Sequence, residues 1–456
     1  MSPAALDPCL GAQSALDEKV RALGADSVYM FLHPGWHTER RANRWHFAKR
    51  WSRHLPTTLV LPEDSVFPIR SKLERRLPNC RVLSTIPRNG IRPDERLALQ
   101  FAQIFLDIQL RKRQRPILWL YNPDFVESFA ALPAALRVHH ATENYFDFPG
   151  LQSDFLERLK NSVATADLTV AVSDGCAEPL RPIVDPSRLM VVTNGCDFKE
   201  YAQAQKPIAQ ISALRTSAKR IAVFAGGVND RLDFELIRKV SDAFPETLQL
   251  FVGDANLTSR NAETFNELRA RANVHFLGPV DPDSLPGIYQ ASDAGYIPYV
   301  QERMIVENGF PLKALEMAAT GLPVVTTFMR PLLKYCPPLS VASSHDEFLT
   351  AFGAAKKSET LTAGLKDIAA ANDYDAKFEA IVDRLLSVGP RQTTAELYST
   401  RPNVQPTLLS IHMQRLVYYV RVNALPRIMA NIGRIIGLAS KFRLFVLRLG
   451  KSRRQD

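Results

Sequence analysis

The sequence lacks the features of a disulfide-stapled, metal-binding or membrane-spanning protein. Its five cysteines are scattered and never spaced as Cys-x-x-Cys, which argues against a disulfide framework or a zinc site and favours a reducing compartment. Acids interrupt the first residues, so we expect no secretory signal there. No stretch approaches the roughly 20 uncharged apolar residues that a spanning helix needs. The 456 residues, 46% of them hydrophobic, suffice for two domains with buried cores.

Acidic residues are scarce at one end of the chain. The net charge is +10, and residues 391–456 hold twelve Lys and Arg against two acids, so the rest of the chain is neutral overall. From Ile428 to Leu449 the apolar residues form one helical stripe. Basic residues recur there every seven positions: Arg427, Arg434, Lys441 and Arg448. Such a helix is typical of a segment lying on an anionic membrane surface. Packing on the protein's own surface is the alternative, and the segment is too apolar for a nucleic-acid arm.

Short apolar runs alternate with helical patterns before this tail. The first set predicts strands at 27–32, 59–61, 117–121, 136–138 and 168–172. After a linker-like segment at 206–219, the alternation restarts with strands predicted at 221–224, 248–252, 275–277 and 294–297. This alternation predicts doubly wound parallel sheets. We therefore expect an α/β protein with two Rossmann-like domains that face a cleft, residues 1–205 and 206–388, and a basic amphipathic helical tail at 389–456.

The segment 308–325 carries the strongest chemical signal. Pro311 suits the first position of a helix, and Gly321 is typical of a residue that ends one. Lys313 and Glu316 are three apart and share a helical face. A helix N-terminus with a lysine beside it predicts a diphosphate site, where Glu316 could accept hydrogen bonds from sugar hydroxyls. An ordinary amphipathic helix with a solvated Lys–Glu pair is the alternative.

Further residues could complete such a site. Glu143 follows an apolar run, and a carboxylate at a strand end in a cleft can take a proton from a hydroxyl; a loop acid or helix cap is the alternative. Arg231, near a glycine turn at 226–227, could neutralise a diphosphate or be tied up by Asp230 and Asp233. The Asp281-Pro282-Asp283 sequence is typical of a turn and cap rather than a metal site. A basic cluster after the first strand favours either a solvated helix face or recognition of an anionic acceptor: Arg40, Arg41, Arg44, His46, Lys49, Arg50 and Arg53.

Taken together, the restarted α/β pattern, Asn194-Gly195-Cys196-Asp197, Gly226-Gly227 and the 308–325 segment resemble the group 1, family 4-like glycosyltransferases of the GT-B fold. The resemblance spans about residues 27–388. It implies a nucleotide-sugar donor in the second domain, an acceptor in the first, and neither a metal nor another cofactor.

A second resemblance lies in Arg40-Arg41-Ala42-Asn43 and His46-Phe47, which are similar to a motif of the membrane-associated glucuronosyltransferase of xanthan biosynthesis. It implies that Glu143 is the catalytic carboxylate. The predicted acceptor-binding residues are Arg40, Arg41, Asn43 and His46. The predicted donor-binding residues are Gly227, Val228, Arg231, Tyr299, Asn308, Leu312, Lys313 and Glu316.

One position departs from the pattern of retaining GT-B enzymes, which usually show two glutamates eight positions apart. Counting back from Glu316 gives Asn308, and Glu307 is one residue off. We therefore expect inverting transfer with Glu143 as base, to a lipid-linked or saccharide acceptor in bacterial polysaccharide synthesis, at the cytoplasmic membrane surface. The alternatives are a retaining transferase that uses Glu307, a nucleotide-sugar epimerase on the same fold, and a catalytically inactive binding subunit.

Overall fold

The computed structural model describes residues 8–391, with gaps at 39–40, 66–69, 88–92, 149, 152, 206–207 and 217. The predicted tail helix lies outside the described residues. No helix in the described part of the chain is long and apolar enough to span a membrane.

The described residues form fourteen strands, numbered in chain order: β1 Ser27–Phe31, β2 Thr57–Ser65, β3 Arg70–Leu73, β4 Cys80–Pro87, β5 Pro116–Leu120, β6 Leu136–Ala141, β7 Leu168–Ala171, β8 Leu189–Val191, β9 Arg220–Ala225, β10 Thr247–Val252, β11 Val274–Gly278, β12 Ala294–Ile297, β13 Val324–Thr327 and β14 Ser340–Ala342. The α-helices are α1 Pro8–Ala22, α2 Asn43–His54, α3 Pro93–Leu110, α4 Val126–Ala131, α5 Ser153–Thr165, α6 Asp174–Ala177, α7 Phe198–Ala202, α8 Ala209–Arg215, α9 Phe234–Ala243, α10 Ala262–Arg269, α11 Leu285–Gln290, α12 Arg303–Asn308, α13 Leu312–Ala319, α14 His345–Ala354, α15 Glu359–Ala371 and α16 Tyr374–Val388.

The strands make two sheets. The first has the order β3-β4-β2-β1-β5-β6-β7-β8, and its pairs from β2 through β8 in that order are parallel. The second has the order β11-β10-β9-β12-β13-β14, and all its pairs are parallel. Strands β1, β5 and β10 are buried along their whole length, as expected where helices cover both faces of a sheet. The predicted fold class, two doubly wound α/β sheets, is confirmed.

By internal contacts the chain divides into two units. The larger comprises Met1–Leu61, Ser71–Leu83 and Arg113–Arg391 and contains all of the second sheet and most of the first. Among the described residues, the smaller comprises those of Pro62–Arg70 and Ser84–Lys112, and it includes all of α3.

The last helix packs differently from the predicted domain division. Helix α16 carries apolar residues at 374, 378, 381 and 385, and they lie in one core with strands β1 and β5 of the first sheet. The Phe378 ring contacts Trp51 edge-on, with ring centroids 4.8 Å apart. The sequence places this helix with the second domain because it follows that domain in the chain. The apolar stripe of α16 is instead buried against the first sheet.

A buried ion cluster ties helix α2 to the segment that connects the two sheets. Asp197, just before α7, accepts hydrogen bonds from Arg50 at 2.7 Å and Lys49 at 3.0 Å, both on α2. Burial alone would raise the pKa of Asp197, but a hydrogen bond from His46 and the neighbouring cationic charges lower it well below its usual range. Lys49 and Arg50 of the basic cluster therefore hold in place the segment that connects β8 to β9.

Candidate functional site

A cavity of about 950 Å³ lies where the strands of both sheets end. Its first side is formed by residues that follow β1, β6 and β7, and its second side by residues that follow β9, β10 and β12 together with the start of α13. Ligands in doubly wound sheets bind outside these carboxyl ends.

The cavity gathers most of the residues predicted from the sequence: Arg41, Asn43, Glu143, Gly227, Arg231, Tyr299, Asn308, Leu312, Lys313 and Glu316 line it. Val228 does not, because it is buried and its N–H donates to the carbonyl of Asp254. His46 is also buried, stacked on Tyr374 with ring centroids 4.1 Å apart. Arg40 lies outside the described residues.

Lys313 is held at the glycine turn by aromatic rings. Its Nζ donates to the Tyr299 hydroxyl at 2.8 Å and lies 4.1 Å from the centroid of the Phe224 ring. Gly226 has φ +145°, and a Cβ there would come 2.5 Å from this Nζ. No carboxylate among the described residues pairs with Lys313, so its charge is available to an anion in the cavity. Phe224 was not predicted, since a buried strand phenylalanine usually signals packing alone.

Arg231 is not tied up by the acids next to it in the chain. Asp230 accepts from the Asn261 side chain at 2.8 Å, and Asp233 caps α9 and lies 2.8 Å from His345. In the described part of the chain Arg231 makes no ion pair. The cavity therefore holds two cationic side chains, Lys313 and Arg231, that form no ion pair with a carboxylate of the described residues.

Glu143 enters the same cavity from the first side, in the loop after β6. The carboxylate is half-buried and accepts no hydrogen bond from the described residues. Burial raises its pKa, and the charge of Arg231 opposes this by lowering it. A partly dehydrated carboxylate without a local partner has the geometry of a proton acceptor.

Glu316 lies deeper, and its side chain is buried. Burial raises its pKa, which the charges of His46 and Lys313 and the hydroxyl of Tyr201 partly offset. Tyr201 also lines the cavity and was not predicted. It lies in the short helix α7, where the sequence gives no sign that it meets α13.

The acid beside Asn308 points elsewhere. Glu307 contacts Arg330 through both carboxylate oxygens, at 2.5 and 3.1 Å, and this partner lowers the pKa of Glu307. Asn308, which is 8% exposed, lines the cavity, and Glu307 is not among the described residues that line it. This arrangement gives no support to Glu307 as a substitute for the missing glutamate.

The predicted acceptor side is partly committed to protein contacts. Arg41 pairs with Asp283 and lies 4.0 Å from Glu200, while Asn43 donates to Asn194 at 2.9 Å. Asp281 accepts from the backbone N–H of Asp283 at 3.0 Å, so this sequence is a turn and cap, as predicted. No group of three or more potential metal ligands occurs within the described ranges. A metal-independent mechanism stays a prediction.

Comparison with known proteins points to one enzyme class. Residues 219–335 match the family model for glycosyl transferases group 1. TuaH of Bacillus subtilis (strain 168), a glycosyltransferase named for teichuronic acid biosynthesis, is 33% identical over 141 residues, 31% of this chain and 34% of TuaH. A D-inositol 3-phosphate glycosyltransferase of Rhodococcus erythropolis is 27% identical over 177 residues, 36% of this chain and 38% of that protein. The chain thus aligns with little more than a third of these curated relatives.

Solved structures match over a larger share. Sucrose-phosphate synthase from Thermosynechococcus elongatus superposes with a TM-score of 0.61 at 15% identity, covering 79% of this chain and 98% of that one. HepE of Anabaena, solved with UDP and glucose, gives a TM-score of 0.59 at 16% identity and covers 80% of this chain and 100% of its own. The chain therefore has the GT-B fold, and most of its second sheet lies in a segment that matches the group 1 glycosyl transferases.

Proposed function

We propose that this protein is a glycosyltransferase that moves a sugar from a nucleotide-sugar donor to an acceptor hydroxyl. The observation that carries this proposal is that one cavity holds Lys313 and Arg231, which form no ion pair among the described residues, and Glu143, whose carboxylate accepts no hydrogen bond from them. The match of residues 219–335 to group 1 glycosyl transferases, and UDP in the HepE structure, support a nucleotide-sugar donor.

The donor diphosphate would lie against the glycine turn at 226–227 and the start of α13. Lys313 and the helix N-terminus would stabilise the charge that develops on the leaving diphosphate. Glu316, Tyr299 and Leu312 would contact the rest of the donor. The acceptor would approach from the first side, past Arg41 and Asn43.

In the proposed reaction Glu143 takes the proton of the acceptor hydroxyl as the oxygen attacks the anomeric carbon. The bond between that carbon and the diphosphate oxygen breaks, and the electron pair leaves with the nucleoside diphosphate. Attack opposite the leaving group inverts the anomeric centre. The neutral Asn308 and the outward-facing Glu307 favour this route over a retaining one.

A panel of nucleotide sugars tests the donor, because a bound donor raises the unfolding temperature by mass action. The stabilising donor is then incubated with candidate acceptors, and the anomeric configuration of the product is determined by NMR. An inverted product is expected. A retained product would overturn the inverting mechanism, and epimerised free donor would replace the transferase proposal with an epimerase.

We further propose that the tail places the enzyme on the cytoplasmic face of a membrane, where a lipid-linked or saccharide acceptor of polysaccharide synthesis is found. The charge excess of residues 391–456 supports the membrane surface, and the similarity to TuaH supports a role in polysaccharide synthesis. Deleting residues 404–456 should abolish sedimentation with anionic lipid vesicles, and high salt should weaken sedimentation of the full chain. Equal sedimentation of the two proteins would refute the membrane role.

A further inference from the structure

An acid in the loop that carries Glu143 accepts a hydrogen bond from the opposite side of the cavity. Asp147 ends the short 3-10 helix Tyr145–Asp147, four residues after Glu143. Its Oδ2 accepts from the Asn144 side chain at 2.9 Å and from the Asn308 side chain at 3.4 Å. Asn144 belongs to the same loop, whereas Asn308 ends α12 on the donor side.

The Asn308 amide fills the space between Asp147 and the start of α6. A Cβ at Gly175 would lie 2.0 Å from Asn308 Oδ1, so this oxygen is on the side of α6. The amide nitrogen then faces Asp147, which as a carboxylate can only accept hydrogen bonds. Position 308 must therefore supply a donor, and a glutamate or aspartate there would set a second negative charge against the first.

The same loop is anchored to its own side by Tyr145. The Tyr145 hydroxyl lies 2.9 Å from His33 Nε2, and that nitrogen also lies 3.1 Å from the carbonyl oxygen of Tyr121. Because a carbonyl can only accept, Nε2 carries the proton and Tyr145 accepts from it. Glu143 thus lies in a loop held at Tyr145 from one side and at Asp147 from the other.

We infer that Asp147 and Asn308 form a clasp across the cleft that positions Glu143 against the donor side, and that Asn308 replaces the expected glutamate because the clasp requires an amide. Both are positioning residues, since they act through the loop and not on the reacting atoms. The inference rests on the proposed role of Glu143, but the clasp itself can be tested without activity.

The test exchanges the two groups in the full-length chain. Asn308→Asp puts two carboxylates face to face, whereas the double variant Asp147→Asn with Asn308→Asp restores one amide and one carboxylate. We expect Asn308→Asp to lower kcat by about 10- to 100-fold with a smaller change in donor KM, because a misplaced base slows chemistry more than binding. The double variant should recover part of the loss, because it restores the contact with position 308 but removes the acceptor of the Asn144 side chain. Asn161→Asp, the same change on the exposed face of α5, is the matched control and should have no effect.

Thermal unfolding of the same variants separates the clasp from the proposed function. The unfolding temperature should fall in Asn308→Asp and recover in the double variant, whether or not a donor has been found. The single variant Asp147→Asn is measured as well. If the losses in Asn308→Asp and Asp147→Asn simply add in the double variant, no clasp exists and the inference is wrong. Recovery of unfolding temperature without recovery of kcat would refute the positioning of Glu143 while leaving the contact itself.

Discussion

Replacing Glu143 with Gln is the most direct test of the proposed base, because the change keeps the side-chain shape and removes only the ability to take a proton. The carboxylate accepts no hydrogen bond from the described residues, so the amide breaks no contact. A positioned general base contributes about 100- to 10,000-fold to a rate. We therefore expect kcat to fall by that factor, which corresponds to about 3–5 kcal/mol of transition-state stabilisation.

Donor binding should survive this change. The predicted donor contacts Lys313 and Gly227 lie on the other side of the cavity from Glu143. Calorimetric titration with the donor identified by the stabilisation panel should give an affinity within about 1 kcal/mol of wild type, which is about fivefold in Kd. A loss of binding as large as the loss of kcat would show that Glu143 shapes the site instead of taking the proton.

The pH profile adds a second readout. A base acts only when ionised, so the rate should rise with pH as Glu143 loses its proton, at a pH above the usual carboxyl range because burial raises its pKa. The charge of Arg231 lowers this pKa, so Arg231→Met should move the rise to higher pH. The residual activity of Glu143→Gln should lack this rise.

The unfolding temperature of the Glu143→Gln protein gives an independent check, because the raised pKa predicts the direction in which it changes. A carboxyl whose pKa is higher in the folded protein than in the unfolded chain costs stability once the pH exceeds both values, because folding then disfavours its charged form. The Glu143→Gln protein should therefore unfold at the same or a higher temperature than wild type at neutral pH. A clearly lower unfolding temperature, or an unchanged kcat, would refute the reasoning.

Three further predictions follow from the same contacts. Tyr299→Phe removes the hydroxyl that fixes Lys313 and should weaken donor binding by about 1 kcal/mol in calorimetry, with little change in the unfolding temperature. Gly226→Ala forces a side chain onto a φ of +145° and displaces Lys313, so donor KM should rise more than kcat falls in steady-state assays. Asp197→Asn takes the buried counter-charge from Arg50, which keeps the half-exposed Asp375 as its ion-pair partner, and should lower the free energy of unfolding in urea by about 2 kcal/mol; an unchanged midpoint would contradict it.

The sheets could be predicted because their core strands are simple apolar runs. Strand β5 and strand β10 are buried throughout, and their sequences are apolar enough to stand out from the flanking helices. The edge strands β3, β8 and β14 were not predicted because they are only three or four residues long. Strand β4 was not predicted either, because polar residues interrupt its apolar run. The packing of α16 could not be predicted either, since an apolar helical stripe indicates which face of the helix is buried but not which sheet covers it.

That several residues of 308–325 lie together in the cavity was predictable for a different reason. Residues 308–325 are contiguous, so helix start, lysine and glutamate could be related by spacing alone. The contacts that complete the site join distant segments: Lys313 meets Phe224, and Glu316 meets Tyr201. The basic cluster on α2 shows a limit of sequence reasoning. Its composition favoured either a solvated helix face or an anionic ligand, whereas the counter-charge of Lys49 and Arg50 is supplied by Asp197 of the protein itself.

The acids of the cavity show why a base for the acceptor has to come from the first sheet. Three acids line the cavity in the described part of the chain: Glu143, Asp254 and Glu316. Asp254 follows β10 and Glu316 lies on α13, so both belong to the side that holds the proposed diphosphate site. Had position 308 been a glutamate, it would have added an acid to that same side and repelled Asp147. With an amide there, Glu143 is the one of these three acids that lies on the side opposite the proposed diphosphate site, which is where the proposed inverting base would act.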